Sequence, residues 1–408
     1  MAISKITAWT IAPASVHSTS SSRQDTPTVG LGQDLALFRS KLKDLKSQGL
    51  AVVHQESAKI EPEWSKAVWK LVGRVCGTSS ASFKTRIIEN NPSDVNHPSS
   101  SEVARAATAL SAHLAAEQAA LAKLPAAART QYQAVQTQIL NRPMARRELQ
   151  KMLLDRRLPG EKDLLDQESV LAQLQRLTIQ PLAKDIDREQ LVSDAIGEIE
   201  NPVRIDQHDK GTCGATTAQI LLARQHPAEY LRLIGGLASP EGRVTMFGGK
   251  HLSRVADWNA SNDGGRSIPS RLLQPAFMNQ AEIFSRLSYD NTSDENRLGE
   301  IALGGGLFDA GLAKLCAQLE GTPFRTLTFL AWNRDTRWNQ VKDTVDRGRG
   351  PIPVSLEWVD QEGPGGHYVQ IDKIASGRVY YTNPWGMQES MTEAEFKSHL
   401  MGALIPEA

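Results

Sequence analysis

The sequence predicts an α+β protein of 408 residues, all-helical before residue 201 and mixed after it. Three observations carry that prediction. Apolar residues recur at helical spacing upstream, glycine becomes frequent near Asn201-Pro202, and strand-like runs appear only downstream. The expected organisation is a disordered leader over 1–32, a helical domain over 33–200 and an α+β domain over 201–408. The main boundary falls between about 180 and 201.

Each element has a local reason. Residues 12–32 are rich in Ser, Thr, Pro and Gln and offer few large apolar side chains to bury. Leu35, Leu37, Phe38, Leu42 and Leu45 then form one apolar stripe. A second polar break runs from Glu89 to Ser101. Ser101 reads as an N-cap for the Ala-rich stretch that ends at Leu124, and Pro125 closes it. The Ala- and Gln-rich 101–141 stretch suits a helical hairpin or coiled coil. Helices are predicted over 128–141, 144–156, 161–178 and 187–199. Downstream, the runs Pro353–Val359, Tyr368–Ile374 and Arg378–Thr382 read as strands. Ala375-Ser376-Gly377 between the last two suits a tight hairpin turn.

Composition excludes several classes of function. Lysine plus arginine equals aspartate plus glutamate at 46 each, so there is no net charge to draw the chain to nucleic acid or an acidic membrane. No apolar run reaches the ~20 residues a membrane span requires. The N-terminus lacks the long apolar core of a secretory signal, so synthesis in the cytoplasm is expected, with delivery by a route that needs no cleaved signal left open. The three cysteines, Cys76, Cys213 and Cys316, are far apart and contain no CxxC pair. They argue against a disulfide scaffold and give zinc no ligand spacing. No metal or cofactor is expected.

Three segments carry chemistry. Cys213 follows a glycine-containing turn, Lys210-Gly211-Thr212, and opens a helix-forming run. A helix N-terminus favours thiolate over thiol. Gly366-His367-Tyr368 places a histidine at the start of a strand, and Asn383-Pro384-Trp385-Gly386 runs from a strand end into a turn. Each has a plain structural reading when taken alone: small core residue, surface histidine, turn asparagine. Together they supply a nucleophile, a base to take its proton and an amide to orient the base. Gln207 adds a neutral amide that can donate to an oxyanion beside the Cys213 backbone N–H.

These residues resemble the papain-like cysteine peptidases. Pro202-Val203, Gln207 and Gly211-Thr212-Cys213 are similar to the segment around that family's nucleophile. Gln207 precedes Cys213 by six positions, as in papain, and His367 precedes Asn383 by sixteen, again as in papain. Asn383-Pro384-Trp385-Gly386 is closer to the NPWG of calpain-like members. The resemblance covers about 201–390. It implies a papain-like domain with a nucleophile helix and an antiparallel sheet, a Cys213–His367–Asn383 triad, Gln207 in the oxyanion hole and Trp385 shielding the His–Asn pair. Gly366 and Gly211 match supporting positions. The chain departs from papain at His208, at Gly214 where papain has tryptophan, and at Lys210 where papain has a disulfide cysteine.

The expectation is therefore a cysteine endopeptidase acting on a protein or peptide. The polar leader and compact C-terminal hydrolase also resemble bacterial effectors or toxins, for which a cognate inhibitor or immunity protein would be a partner. Two rivals stand beside it: an amidase, deamidase, transglutaminase or acyltransferase using the same thioester, and a non-catalytic binding protein on the same scaffold. Cys76 and Cys316 read as buried fillers, His208 as a loop residue, and Gly248-Gly249-Lys250 and Gly304-Gly305-Gly306 as turns.

Overall fold

The first helix begins where a capping box allows it. In the computed structural model, Ser99 Oγ accepts from the Glu102 N–H and the Ser99 N–H donates to Glu102 Oε2 at 2.8 Å, opening α1 (Ser100–Ala112). The cap thus lies two residues before the expected Ser101, because only Ser99 stands three positions ahead of a glutamate. The structure describes residues 85–90, 99–263, 265–281, 287–298, 301–302, 305–360 and 363–407. The expected leader, the Leu35–Leu45 stripe, Cys76 and Gly304 lie outside them.

The Ala-rich run breaks at His113, and α2 (Leu114–Lys123) follows. Then come α3 (Ala126–Gln138) and α4 (Pro143–Leu154). Helices α1 and α2 both lie against α4 rather than forming a hairpin with each other. Buried Glu117 joins three helices, accepting from Tyr132 Oη at 2.6 Å and from Gln150 Nε2 at 2.8 Å.

The helix expected over 161–178 starts only at Val170, as α5 (Val170–Ile179) behind the Ser169 cap. The cause is Asp163. Its buried carboxylate accepts from the backbone N–H groups of Leu165, Asp166, Gln167 and Glu168, which holds the segment as a loop. Helix α6 (Arg188–Glu200) and a short 3₁₀ turn (Pro202–Arg204) complete the upstream region.

Downstream, α7 (Cys213–Gln225) is buried from Cys213 to Ala223 and packs against α8 (Pro227–Ala238), α9 (Ile268–Ala281) and α10 (Asp309–Glu320). A helix apolar or small on every side belongs in a core. Gly248-Gly249-Lys250 turns between β2 (Arg243–Thr245) and β3 (His251–Ser253), with Gly249 at φ 85°. A small three-stranded sheet, β4 (Leu287–Asp290), β5 (Glu295–Leu298) and β6 (Ile301–Ala302), precedes α10.

The main sheet is antiparallel in every pairing described. It combines β1 (Arg86–Asn90), β7 (Phe324–Thr328), β8 (Ile352–Asp360), β9 (Gly363–Ala375), β10 (Arg378–Asn383), β11 (Met387–Thr392) and β12 (Leu400–Pro406), in the order β1-β11-β10-β9-β8-β12-β7. The expected hairpin is present. Ser376 at φ 51° and Gly377 at φ 70° make the left-handed pair that two-residue hairpin turns require.

Alternation along β9 divides the apolar residues. Val369 and Ile371 join a cluster with Trp338 and Val341 of α11 (Arg334–Asp346) and Phe396 of α12 (Glu393–His399). Tyr368 joins the larger core around α7. That larger core runs without a break from Ala128 on α3 to Leu404 on β12, so the change of texture at Asn201 marks no gap in the packing. Among the described residues no helix is long and apolar enough to cross a membrane.

Candidate active site

Cys213 is the first residue of α7, and the backbone N–H groups of Tyr368, Gly214 and Cys213 itself bear on its sulfur in the sense that favours the thiolate. Helix α7 packs against β9, and a Cβ on Gly214 would stand 3.2 Å from Tyr368 Cδ2, so the start of α7 lies against the strand that carries His367. The imidazole Nε2 of His367 lies 2.9 Å from Asn383 Oδ1 at the end of β10. Imidazole and amide, sixteen residues apart in sequence, thus meet across β9 and β10.

The tryptophan of the turn covers the imidazole. Trp385 stacks on His367 with centroids 4.3 Å apart and planes 19° apart, and Trp358 of β8 packs at 4.8 Å from the same ring. Trp385 and Trp358 meet edge to face at 5.3 Å. Trp358 was not singled out from the sequence. Its cross-strand partner is Gly365, two pairs away from the Leu356–His367 pair, and only the register of β8 against β9 reveals this.

Gln207 is tied to the same turn. Its N–H donates to the Pro384 carbonyl at 2.8 Å, and Asp206 forms a β-bridge with Trp385. The side-chain Nε2 donates to the Lys210 carbonyl at 2.7 Å, while Oε1 is buried without a hydrogen-bond partner. One Nε2 hydrogen is thus engaged, and the group carries two. Gly386, at φ 68°, supplies the left-handed conformation that the turn needs.

A second loop braces the turn before Cys213. The Gly211 N–H donates to Asp294 at 2.7 Å, and Lys210 Nζ donates to the Asn291 carbonyl at 2.8 Å. Tyr289 Oη donates to the same Asp294 carboxylate. Thr212 Oγ1 donates to Gln274 Oε1 at 3.0 Å, which ties the loop to α9. Gly366 is exposed on β9 opposite Glu357. His208, at φ 50°, lies half-buried in the loop with Nε2 3.7 Å from Asp206 Oδ2. Gly305 approaches this loop: a Cβ on Gly211 would lie 3.6 Å from Gly305 Cα.

Electrostatics at the sulfur differ from what the helix end alone predicts. Burial pushes the Cys213 thiol up, the three backbone N–H groups oppose it, and the Asp294 carboxylate pushes up again. Cys213 is 6% exposed and His367 4%, so desolvation outweighs the favourable helix terminus. Gly214 is explained by its neighbours. A Cβ there would stand 3.2 Å from Leu307 Cδ1 and from Tyr368 Cδ2, leaving no room for a tryptophan. Tyr368 Oη donates to Asp309 Oδ1 at 2.5 Å. Cys316 is buried in α10 with its thiol pushed up by desolvation. Among the described residues no group of three His, Cys, Asp or Glu side chains is placed to hold a metal ion.

Compared with models of known protein families, the sequence matches none, and it matches no curated protein. The site is therefore read from its own geometry.

Proposed function

We propose that the chain is a papain-like cysteine hydrolase that transfers an acyl group to Cys213 and then to water. One observation carries this reading: His367 Nε2 stands 2.9 Å from Asn383 Oδ1, on a strand packed against the helix that Cys213 opens. That supplies a base oriented on one nitrogen and a candidate nucleophile on the neighbouring element, the arrangement acyl transfer needs.

In this mechanism His367 Nδ1 takes the thiol proton as sulfur attacks the carbonyl carbon. The oxyanion receives the Cys213 backbone N–H and the second Nε2 hydrogen of Gln207. The C–N bond breaks, the imidazolium gives its proton to the leaving amine, and a thioester remains. Water, deprotonated by the imidazole, then releases the acid and restores the thiol. A buried thiol with a raised pKa stays protonated at rest, so the transfer to His367 accompanies attack rather than preceding it.

Peptide hydrolysis is the first form of this chemistry. The near-complete burial of Cys213 and His367 favours a second form, an amidase or deamidase acting on a slim side-chain carboxamide. A trapped thioester separates the two by the acyl group it carries. Cys213→Ala should abolish turnover on peptide and carboxamide substrates alike. Asn383→Ala should lower it on the order of 10- to 100-fold, the loss of one orienting hydrogen bond, with the fold retained and a lowered melting midpoint, because buried Glu389 loses a donor. Normal turnover by Cys213→Ala would end the proposal.

A further inference from the structure

We propose that Glu389 is a positioning residue of this site, holding the Asn383 amide and thereby the proton on His367 Nε2. The inference rests on the acyl-transfer reading above. Asn383 Nδ2 donates to Glu389 Oε2 at 2.9 Å, and both residues are buried. A carboxylate only accepts hydrogen bonds, so the amide group facing it must be the NH₂. The amide oxygen is then the atom turned to His367, and the Nε2 it meets must carry hydrogen. A neutral imidazole bears one N–H, so Nδ1 holds the lone pair that can receive the thiol proton. Without Glu389 the amide could turn over, present its NH₂ to Nε2 and select the other tautomer, which cannot act as base. A neutral asparagine fixes a tautomer only when something fixes the asparagine.

The sheet builds this contact. Glu389 is paired with Tyr381 across β10 and β11, and Asn383 lies two residues beyond Tyr381, so Asn383 and Glu389 are diagonal neighbours on one face. On its other side Glu389 pairs with Ile87 of β1, which closes the edge beside it.

The test uses the full chain and needs no substrate. Iodoacetamide is reacted over a range of pH, and alkylation of the Cys213 peptide is followed by mass spectrometry. Histidine ¹⁵N shifts report the tautomer, with His367 assigned by His367→Gln. In the wild type, His367 should be the Nε2–H form, and His367→Ala should slow alkylation. Glu389→Gln should give a mixture of tautomers and slow alkylation roughly 10-fold or more with a displaced pH profile. In an Asn383→Ala background the same change should have no further effect. Should Glu389→Gln fail to fold, Glu389→Asp, which keeps the acceptor, should retain the Nε2–H form.

Two outcomes are distinct. Alkylation that His367→Ala slows but Glu389→Gln leaves unchanged overturns the role of Glu389 alone. Alkylation indifferent to His367→Ala overturns the acyl-transfer reading, and this inference with it. A Glu389→Gln effect of equal size with and without Asn383 also refutes the proposed route.

Discussion

Gly214 shows how one residue constrains the site. Its missing side chain lets Leu307 and Tyr368 close on the start of α7, each 3.2 Å from where a Cβ would be. Gly214→Trp, which installs the residue papain carries, should therefore destabilise the fold by about 1–3 kcal/mol of overpacking, read as a lower urea midpoint. Much of the site was legible at this scale. Cys213, His367 and Asn383 announce themselves because each sits at a junction of turn and regular structure that sequence alone reveals. Glu389 and Trp358 do not, since nothing in their own segments marks them. Their importance arises from the strand opposite, and register is not written in either strand alone.

At the scale of elements, side chains compete with secondary structure. The 161–168 segment has helical composition, yet Asp163 draws four backbone N–H groups to its carboxylate and Gln173 Nε2 as well, at 3.0 Å. Periodicity sees the apolar residues and cannot see that competition. Asp163→Ala should cost about 1–3 kcal/mol in chemical denaturation, and Asp163→Asn, which keeps one acceptor, should cost less. The hairpin of β9 and β10 is the opposite case. Ser376-Gly377 is a local instruction, and the two left-handed residues it predicts are those observed. The capping box at Ser99 is equally local, since Ser99 and not Ser101 stands three positions ahead of Glu102.

Across the whole molecule, buried acids link the upstream helices to α7. Glu198 of α6 accepts from Tyr230 on α8 and from Ser267 and Ser270 at α9, and Gln219 on α7 donates to Tyr230 and Ser270. Burial raises Glu198 to about 7 and Asp194 to about 6. A raised carboxyl binds more proton folded than unfolded, so stability falls as pH rises from the ordinary glutamate range through about 7. His226 and His399, lowered by burial, act in the opposite sense below their ordinary value. The difference between proteins isolates the acid: Glu198→Gln should flatten the decline between about pH 4.5 and 7 relative to the wild type, in urea titrations at stepped pH. An unchanged slope would show that Glu198 titrates normally in the fold.

The shared core has a consequence for how the proposed hydrolase could be controlled. Residues from α3 to α6 share one hydrophobic core with α7, and Arg157 on the loop after α4 grips the carbonyls that end α6. A proteolytic nick near Asn201 would strip apolar cover from α7 instead of unveiling a ready catalyst. Amputation, the usual way to wake a zymogen, would here dismantle the machine.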